Sequence, residues 1–227
     1  MTRVATLLAL AVVLVGCGGK TQSADGDTTT AGPPLATATS AGTAGCKSVA
    51  APKPKADGGQ KVPTTALNPA KTYAVTIETN CGSFTITLDQ KQSPHATAAF
   101  VSLAKSGFFD HTTFHRIVPG FVIQGGDPTG RGTGGPGFST VDPPRPTARY
   151  TKGVVAMAKT GAEPPGTAGS QFFVDTADVQ LTPDYAVLGT VYQGRKVVDL
   201  IGKLGTNTQE GKPTKVVEIL KTTVKVS

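Results

Sequence analysis

The stretch that most constrains this chain is Phe114 to Asp127, FHRIVPGFVIQGGD. It sets one arginine among aliphatic residues, follows with a Pro-Gly pair, and closes a short apolar run with Gln124 and two glycines. Phe114 to Val118 is β-branched and aromatic and reads as a strand, Phe121 to Gln124 reads as a second, and Pro119-Gly120 is the tight turn between them. If Arg116 and Gln124 point the same way across that turn, a guanidinium and a carboxamide share one apolar surface. Two readings stay open on the residues alone. The hairpin is either a core element whose arginine extends its stem to reach solvent, or a platform that holds the two polar groups together for chemistry.

The chain from Tyr73 to Ser227 is long enough for one domain with a substantial core. TYAVTIET and FTITLD, separated by Asn80-Cys81-Gly82-Ser83, predict a hairpin. Ser93-Pro94 predicts an N-cap with proline at the first helical position. Ala96, Ala99, Phe100 and Leu103 continue at helical spacing, and Gly107 is placed to end that helix in a left-handed conformation. Gly153 to Ala158, Gln171 to Val174 and Asp184 to Val191 read as compact strands, Arg195 to Lys203 as a second short helix, and Lys215 to Val226 as a closing strand. Many short strands, two short helices and no βαβ alternation predict a mainly β fold, a closed antiparallel barrel.

Several functional classes find no support. Gly130 to Gly135 matches GxGxxG, but Pro136-Gly137 follows where a dinucleotide site needs a helix N-terminus. There is no P-loop, and no GxSxG elbow of a serine hydrolase. His111 and His115 are four apart, which on a strand is about 13 Å and too far to share one zinc. His115 is expected to bond backbone inside the sheet. No metal and no cofactor are expected, and nothing resembles a nucleic-acid module.

Phe114 to Asp127, with GVVAMAK at Gly153 to Lys159 and GSQFF at Gly169 to Phe173, resembles the landmark segments of the cyclophilin-type peptidyl-prolyl cis-trans isomerases, in the same order. The similarity runs from about Tyr73 to the C-terminus. It implies an eight-stranded antiparallel barrel capped by two helices, and acceleration of X–Pro isomerisation without a cofactor. By this resemblance Arg116 is the catalytic donor, and Gln124 steadies it and holds the substrate carbonyl. Phe121, Val122, Phe173 and Leu181 form a proline cup with Met157 beneath it and Tyr185 over it. Ala158 and Lys159 bond the preceding peptide through their backbone, and Gln171 helps to position it. Read without the resemblance, Met157 and Phe173 are equally ordinary core residues and Gln171 a sheet-edge amide. The sequence departs from the family pattern at Val122 (methionine is usual), Lys159 (asparagine), Tyr185 (often histidine) and Gln180 (commonly tryptophan), which points to weak cyclosporin binding. The alternative function is a non-catalytic module, or holdase, that binds proline-containing polypeptides; a monomer is expected on either reading.

The N-terminal 70 residues are different in kind. Residues 1–16 carry one arginine and then an apolar run from Val4 to Val15, a signal-peptide pattern too short to span a bilayer. Leu14-Val15-Gly16-Cys17 resembles a bacterial lipobox, which implies lipidation at Cys17 and a place on the extracytoplasmic side of the cell membrane. A plain signal peptide with an incidental cysteine is the alternative. Residues 17–70 are rich in Thr, Ala, Gly, Pro, Ser and Lys, with almost no large apolar side chain, and read as a disordered tether. Its lysines form part of a formal charge of +7, either a solvated basic linker or an attraction to anionic surfaces. Residues 71–227 are the isomerase-like domain. Cys46 and Cys81 are left to pair or to stay free thiols, in a compartment that permits disulfides.

Overall fold

The computed structural model describes residues 45–227. The leader 1–16, Cys17 and the tether as far as residue 44 lie outside the described residues. Eleven strands and two helices follow in the order β1 (Tyr73–Thr79), β2 (Gly82–Leu88), α1 (Pro94–Lys105), β3 (Thr112–Thr113), β4 (Arg116–Val118), β5 (Val122–Gly125), β6 (Thr140–Val141), β7 (Val154–Met157), β8 (Thr167–Ala168), β9 (Phe172–Asp175), β10 (Val187–Gln193), α2 (Arg195–Ile201) and β11 (Glu218–Val226). Nine strands form one antiparallel sheet in the order β3-β11-β1-β2-β10-β7-β9-β5-β4, and β6 pairs with β8 apart from it.

The sheet is the mainly β, antiparallel, two-helix architecture expected from the sequence, with one strand more. The extra strand arises because Phe114 to Val118 is not continuous. Phe114 donates its N–H to Val217 on one side, whereas Arg116 pairs with Gln124 on the other. The segment therefore leaves one edge of the sheet at β3 and re-enters at the opposite edge as β4 after two residues. The sheet is curled until its edges nearly meet, but β3 and β4 do not pair, so the barrel is not closed by a hydrogen-bonded ladder.

Alternation makes the core. In β1, Tyr73, Val75 and Ile77 are buried while Ala74, Thr76 and Glu78 are half-buried, which is the period of a strand with one dry face. Helix α1 lays Ala96, Phe100, Leu103 and Ala104 against the core. There Phe100 meets Phe109 and Phe172 at centroid distances of 4.8 and 5.3 Å, and Phe172 meets Phe114 at 5.9 Å. Pro94 occupies the first turn as predicted, but the Ser93 side chain makes no capping bond. Asp142 takes that role from a distant loop. Its Oδ2 accepts the Ala96 N–H at 2.7 Å and its Oδ1 lies 2.7 Å from His95 Nδ1, a carboxylate where the helix dipole favours one. At the other end Gly107 has φ +70. Phe108 N–H donates to Leu103 O and Gly107 N–H to Ala104 O, the bond pair of a Schellman termination.

Residues 45–70 have no regular secondary structure, yet 45–60 is a docked strap where composition reads a free tether. Cys46 is joined to Cys81 by a disulfide. Lys47 N–H donates to Asn80 O, and Asn80 Nδ2 donates back to Lys47 O at 2.7 Å. Lys55 donates its ammonium to the carbonyls of Gly107, Phe108 and Asp110 at 3.0, 2.6 and 3.0 Å, at the C-terminal end of α1. Farther on, Gly58 and Gln60 donate N–H groups to Gly135 O and Pro136 O. The strap is held by the disulfide, by hydrogen bonds and by one caged cation more than by buried apolar surface. A hydrophobicity reading has no means of seeing such contacts. Among the described residues no helix is long and apolar enough to cross a membrane.

Candidate active site

The β4–β5 hairpin turns at Pro119-Gly120, with Gly120 at φ +72 and Phe121 N–H donating to Val118 O at 3.0 Å. That turn fixes the register Arg116↔Gln124. Directly paired residues in an antiparallel hairpin project from the same face, so the two polar side chains share one surface. Arg116 Nη1 donates to Gln124 Oε1 at 3.3 Å and Arg116 Nε donates to the Gln209 carbonyl at 3.0 Å. The guanidinium carbon lies 5.7 Å from the centre of the Phe121 ring. Burial pulls Arg116 down from its usual value, but arginine starts so high that it stays charged at neutral pH.

The network continues in one direction. Gln124 Nε2 donates to Gln171 Oε1 at 3.1 Å, and Gln171 Nε2 donates to Gly134 O at 3.0 Å. A guanidinium only donates and a carbonyl only accepts, so both carboxamide orientations between them are determined. The loop that carries Gly134 is held in turn by Asp127, fully buried just before it. The Asp127 carboxylate accepts N–H groups from Thr129, Gly132 and Thr133 and the Thr129 hydroxyl. Burial alone would raise its pKa, but bonds from Thr129, Gly134 and Gly132 together hold it below the usual carboxylate range. A Cβ at Gly134 would overlap that carboxylate.

Beside Arg116 and Gln124 lies a pocket of about 280 Å³, lined also by Phe121, Val122, Ala158, Lys159, Phe173, Leu181, Tyr185 and Gln209. Its floor is a small apolar cluster separate from the main core, built on Val122, Ala156, Phe173, Val187 and Tyr150. Tyr185 stands edge-on to Phe173 at 5.4 Å and to Tyr150 at 5.9 Å. The Tyr150 hydroxyl donates to Tyr185 O at 2.8 Å and accepts Tyr185 N–H at 3.0 Å, which fixes this wall. Burial pushes the Tyr150 phenol up to about 12, so it keeps its proton to donate. An open, aromatic-walled cup with a fixed cation at its rim suits one small ring beside a polar group in transition.

Residues 74–224 match the family "Cyclophilin type peptidyl-prolyl cis-trans isomerase/CLD". The chain belongs to this family. It is 39% identical over 165 residues to peptidyl-prolyl cis-trans isomerase-like 1 of Mus musculus, covering 70% of this chain and 95% of that protein. It is 37% identical over 155 residues to peptidyl-prolyl cis-trans isomerase CYP18-2 of Arabidopsis thaliana, covering 66% and 92%. Among solved structures, a cyclophilin-type isomerase of Cryptosporidium parvum superposes with a TM-score of 0.62 at 32% identity, over 68% of this chain and 98% of that one. The same protein crystallised in the presence of the dipeptide Ala-Pro gives the same score.

Within the cyclophilin domain the structure brings together most of the residues singled out from sequence, with four differences. Met157 does not lie under the proline cup. Strand residues alternate, so Ala156 and Phe173 belong to the small cluster on the pocket side while Met157 and Phe172 belong to the main core. Gln171 does not line this pocket; it faces the hollow beside it and accepts from Gln124. The Ala158 N–H is already donated to Gln171 O at 2.9 Å, which leaves its carbonyl, and the Lys159 backbone, free toward a peptide. His115 has both ring nitrogens buried with no full hydrogen bond among the described residues, and the Thr113 backbone is its one weak backbone interaction. Burial lowers its pKa, so it is neutral at pH 7. Sequence reasoning missed Gln209, Gly134 and Asp127, which carry no distinguishing local signal.

Proposed function

We propose that this cyclophilin isomerises X–Pro bonds of other exported proteins and assists their folding while anchored by lipid on Cys17 outside the cell membrane of a bacterium. The observation that carries the catalytic reading is the Arg116 guanidinium, held by Gln124 and Gln209 at the edge of the aromatic cup. Rotation about an X–Pro bond must break amide resonance. The twisted amide has a pyramidal nitrogen with a lone pair, and a fixed cationic donor aimed at it favours that state over the planar ones. Arginine suits the task because it stays protonated and its fork is rigid. Gln124 Nε2 gives one hydrogen to Gln171 and keeps the second for a substrate carbonyl. The aromatic wall holds the ring, so no nucleophile or cofactor is needed.

A protease-coupled assay of an Ala-Pro peptide with the purified protein tests the activity. Catalysed isomerisation above the spontaneous rate is expected; a folded protein with none leaves a proline-binding module. The export context is supported by the Arg3-plus-apolar leader and by Leu14 to Cys17. Wild-type protein is expected in the detergent phase at high salt and Cys17→Ser in the aqueous phase. An unmodified Cys17 in the mature protein would remove the anchor and leave the isomerase intact.

A further inference from the structure

Next to the proline pocket lies a second hollow of about 500 Å³, and the two share Gln124, Ala158 and Lys159. The two hollows adjoin at those residues, so a polypeptide whose proline sits in the first has a path through the second on one side of the proline. Part of that hollow's wall is not supplied by the cyclophilin domain. It is Asp57 of the strap, outside the family-matched residues 74–224, and it faces the hollow together with Glu163.

Both carboxylates are fixed by the scaffold. Asp57 Oδ1 accepts the Gly135 N–H at 2.8 Å, and the flanking strap is tied by Gly58 N–H to Gly135 O and Gln60 N–H to Pro136 O. Glu163 Oε2 accepts the Thr160 N–H at 2.5 Å and its hydroxyl at 2.9 Å. Each therefore keeps one oxygen without a partner among the described residues. The opposing charge is Lys159, whose ammonium donates to the carbonyls of Thr160 and Glu163 at 3.2 and 3.0 Å and lies 5.7 Å from the Tyr185 ring. The hollow thus holds two carboxylates against one engaged ammonium, beside the substrate's path.

We propose that Asp57, with Glu163, is a specificity determinant: the strap makes this hollow select polypeptides with a lysine or arginine a few residues from the isomerised proline. This rests on the isomerase reading of the adjoining pocket. Exposed charge pairs contribute little, so the preference is modest and weakens with salt.

The test uses purified full-length protein and a peptide series around one Ala-Pro core, with Lys, Ala or Glu at each of three positions before and after the proline. At low salt, kcat/KM for Lys over Glu is expected to reach about two- to fivefold at the positions that meet the hollow, on the scale of one exposed ion pair, and to shrink as salt rises. Asp57→Asn retains an oxygen for the Gly135 N–H and removes only charge. It is expected to move that ratio toward one, and Asp57→Asn with Glu163→Gln to abolish it. Equal Lys and Glu rates in the wild type, or a ratio that survives the double substitution, overturns the proposal. If the wild type fails on the alanine peptide as well, the isomerase reading fails instead, so the two failures are told apart.

Discussion

Arg116 has two restraints of different kind, a backbone carbonyl at Gln209 and a side-chain amide at Gln124. Removing the guanidinium leaves the apolar cup intact, because Phe121, Val122 and Phe173 belong to other packing contacts. Arg116→Ala is therefore expected to lower kcat/KM by about 10²–10³, the cost of one preorganised donor, with peptide affinity and circular dichroism nearly unchanged. Near-normal turnover would make the arginine structural. Gln171 offers a finer test, since it touches Gln124 and lines the neighbouring hollow rather than the proline pocket. Gln171→Leu removes the acceptor for Gln124 Nε2 and frees that carboxamide to rotate. The expected loss is about two- to tenfold, one hydrogen bond's worth, appearing in kcat more than in KM. An equal rise in KM would instead place Gln171 in substrate binding.

At the scale of elements, the sequence was most readable where a signal is local. The β1–β2 hairpin, the Pro94 start and Gly107 end of α1, and the Pro119-Gly120 turn each follow from neighbours in the chain. The split of β3 from β4 was not readable, because it depends on Phe114 bonding Val217 far along the chain. The strap was hidden for another reason: its composition resembles free chain, and its docking uses main-chain groups that every residue has. The Cys46–Cys81 disulfide, at a sequence separation of 35, ties its first residues to the β1–β2 turn. Chain entropy alone assigns such a loop about 4 kcal/mol, an upper figure here because Lys55 and the bonds of Gly58 and Gln60 still hold the strap. Cys46→Ser with Cys81→Ser is expected to lower the unfolding temperature and to speed amide exchange at Lys47 before Gly58. An unfolding curve that is the same with and without the bridge would mean the strap contributes nothing to stability.

At the scale of the whole molecule, the site is a meeting of segments far apart in sequence: the β4–β5 hairpin, the loop around Asp127, the β7 end, the β9 start, Tyr185 and Gln209. Motifs located the first and parts of the next, but no local pattern announces that Gly134 orients Gln171 or that Gln209 holds Arg116. The same long-range packing sets a stability term that does not involve catalysis. Asp175, at the end of β9 and paired in register with Val122, is 0% exposed, and neither carboxylate oxygen has a partner among the described residues. Burial pushes its pKa up to about 8, against about 3.9 in an unfolded chain. Between those values the folded protein holds a proton that the unfolded chain has released. Stability from this group is thus fully present below about pH 4 and is lost as pH rises toward 8. Asp127 works in the opposite sense, its contribution disappearing only as pH falls below the usual carboxylate range, so it does not mask the trend above pH 5. His115, lowered by burial from 6.5, adds stability as pH rises toward that value and offsets part of the trend, so the unfolding temperature of the wild type is expected to decline chiefly from about pH 7 to pH 8. Asp175→Asn, which keeps the shape and removes the titration, is expected to flatten that decline and to be the more stable protein at pH 8. A slope unchanged by the substitution would mean that Asp175 is paired or solvated in the folded protein, and that its burial does not set the pH response.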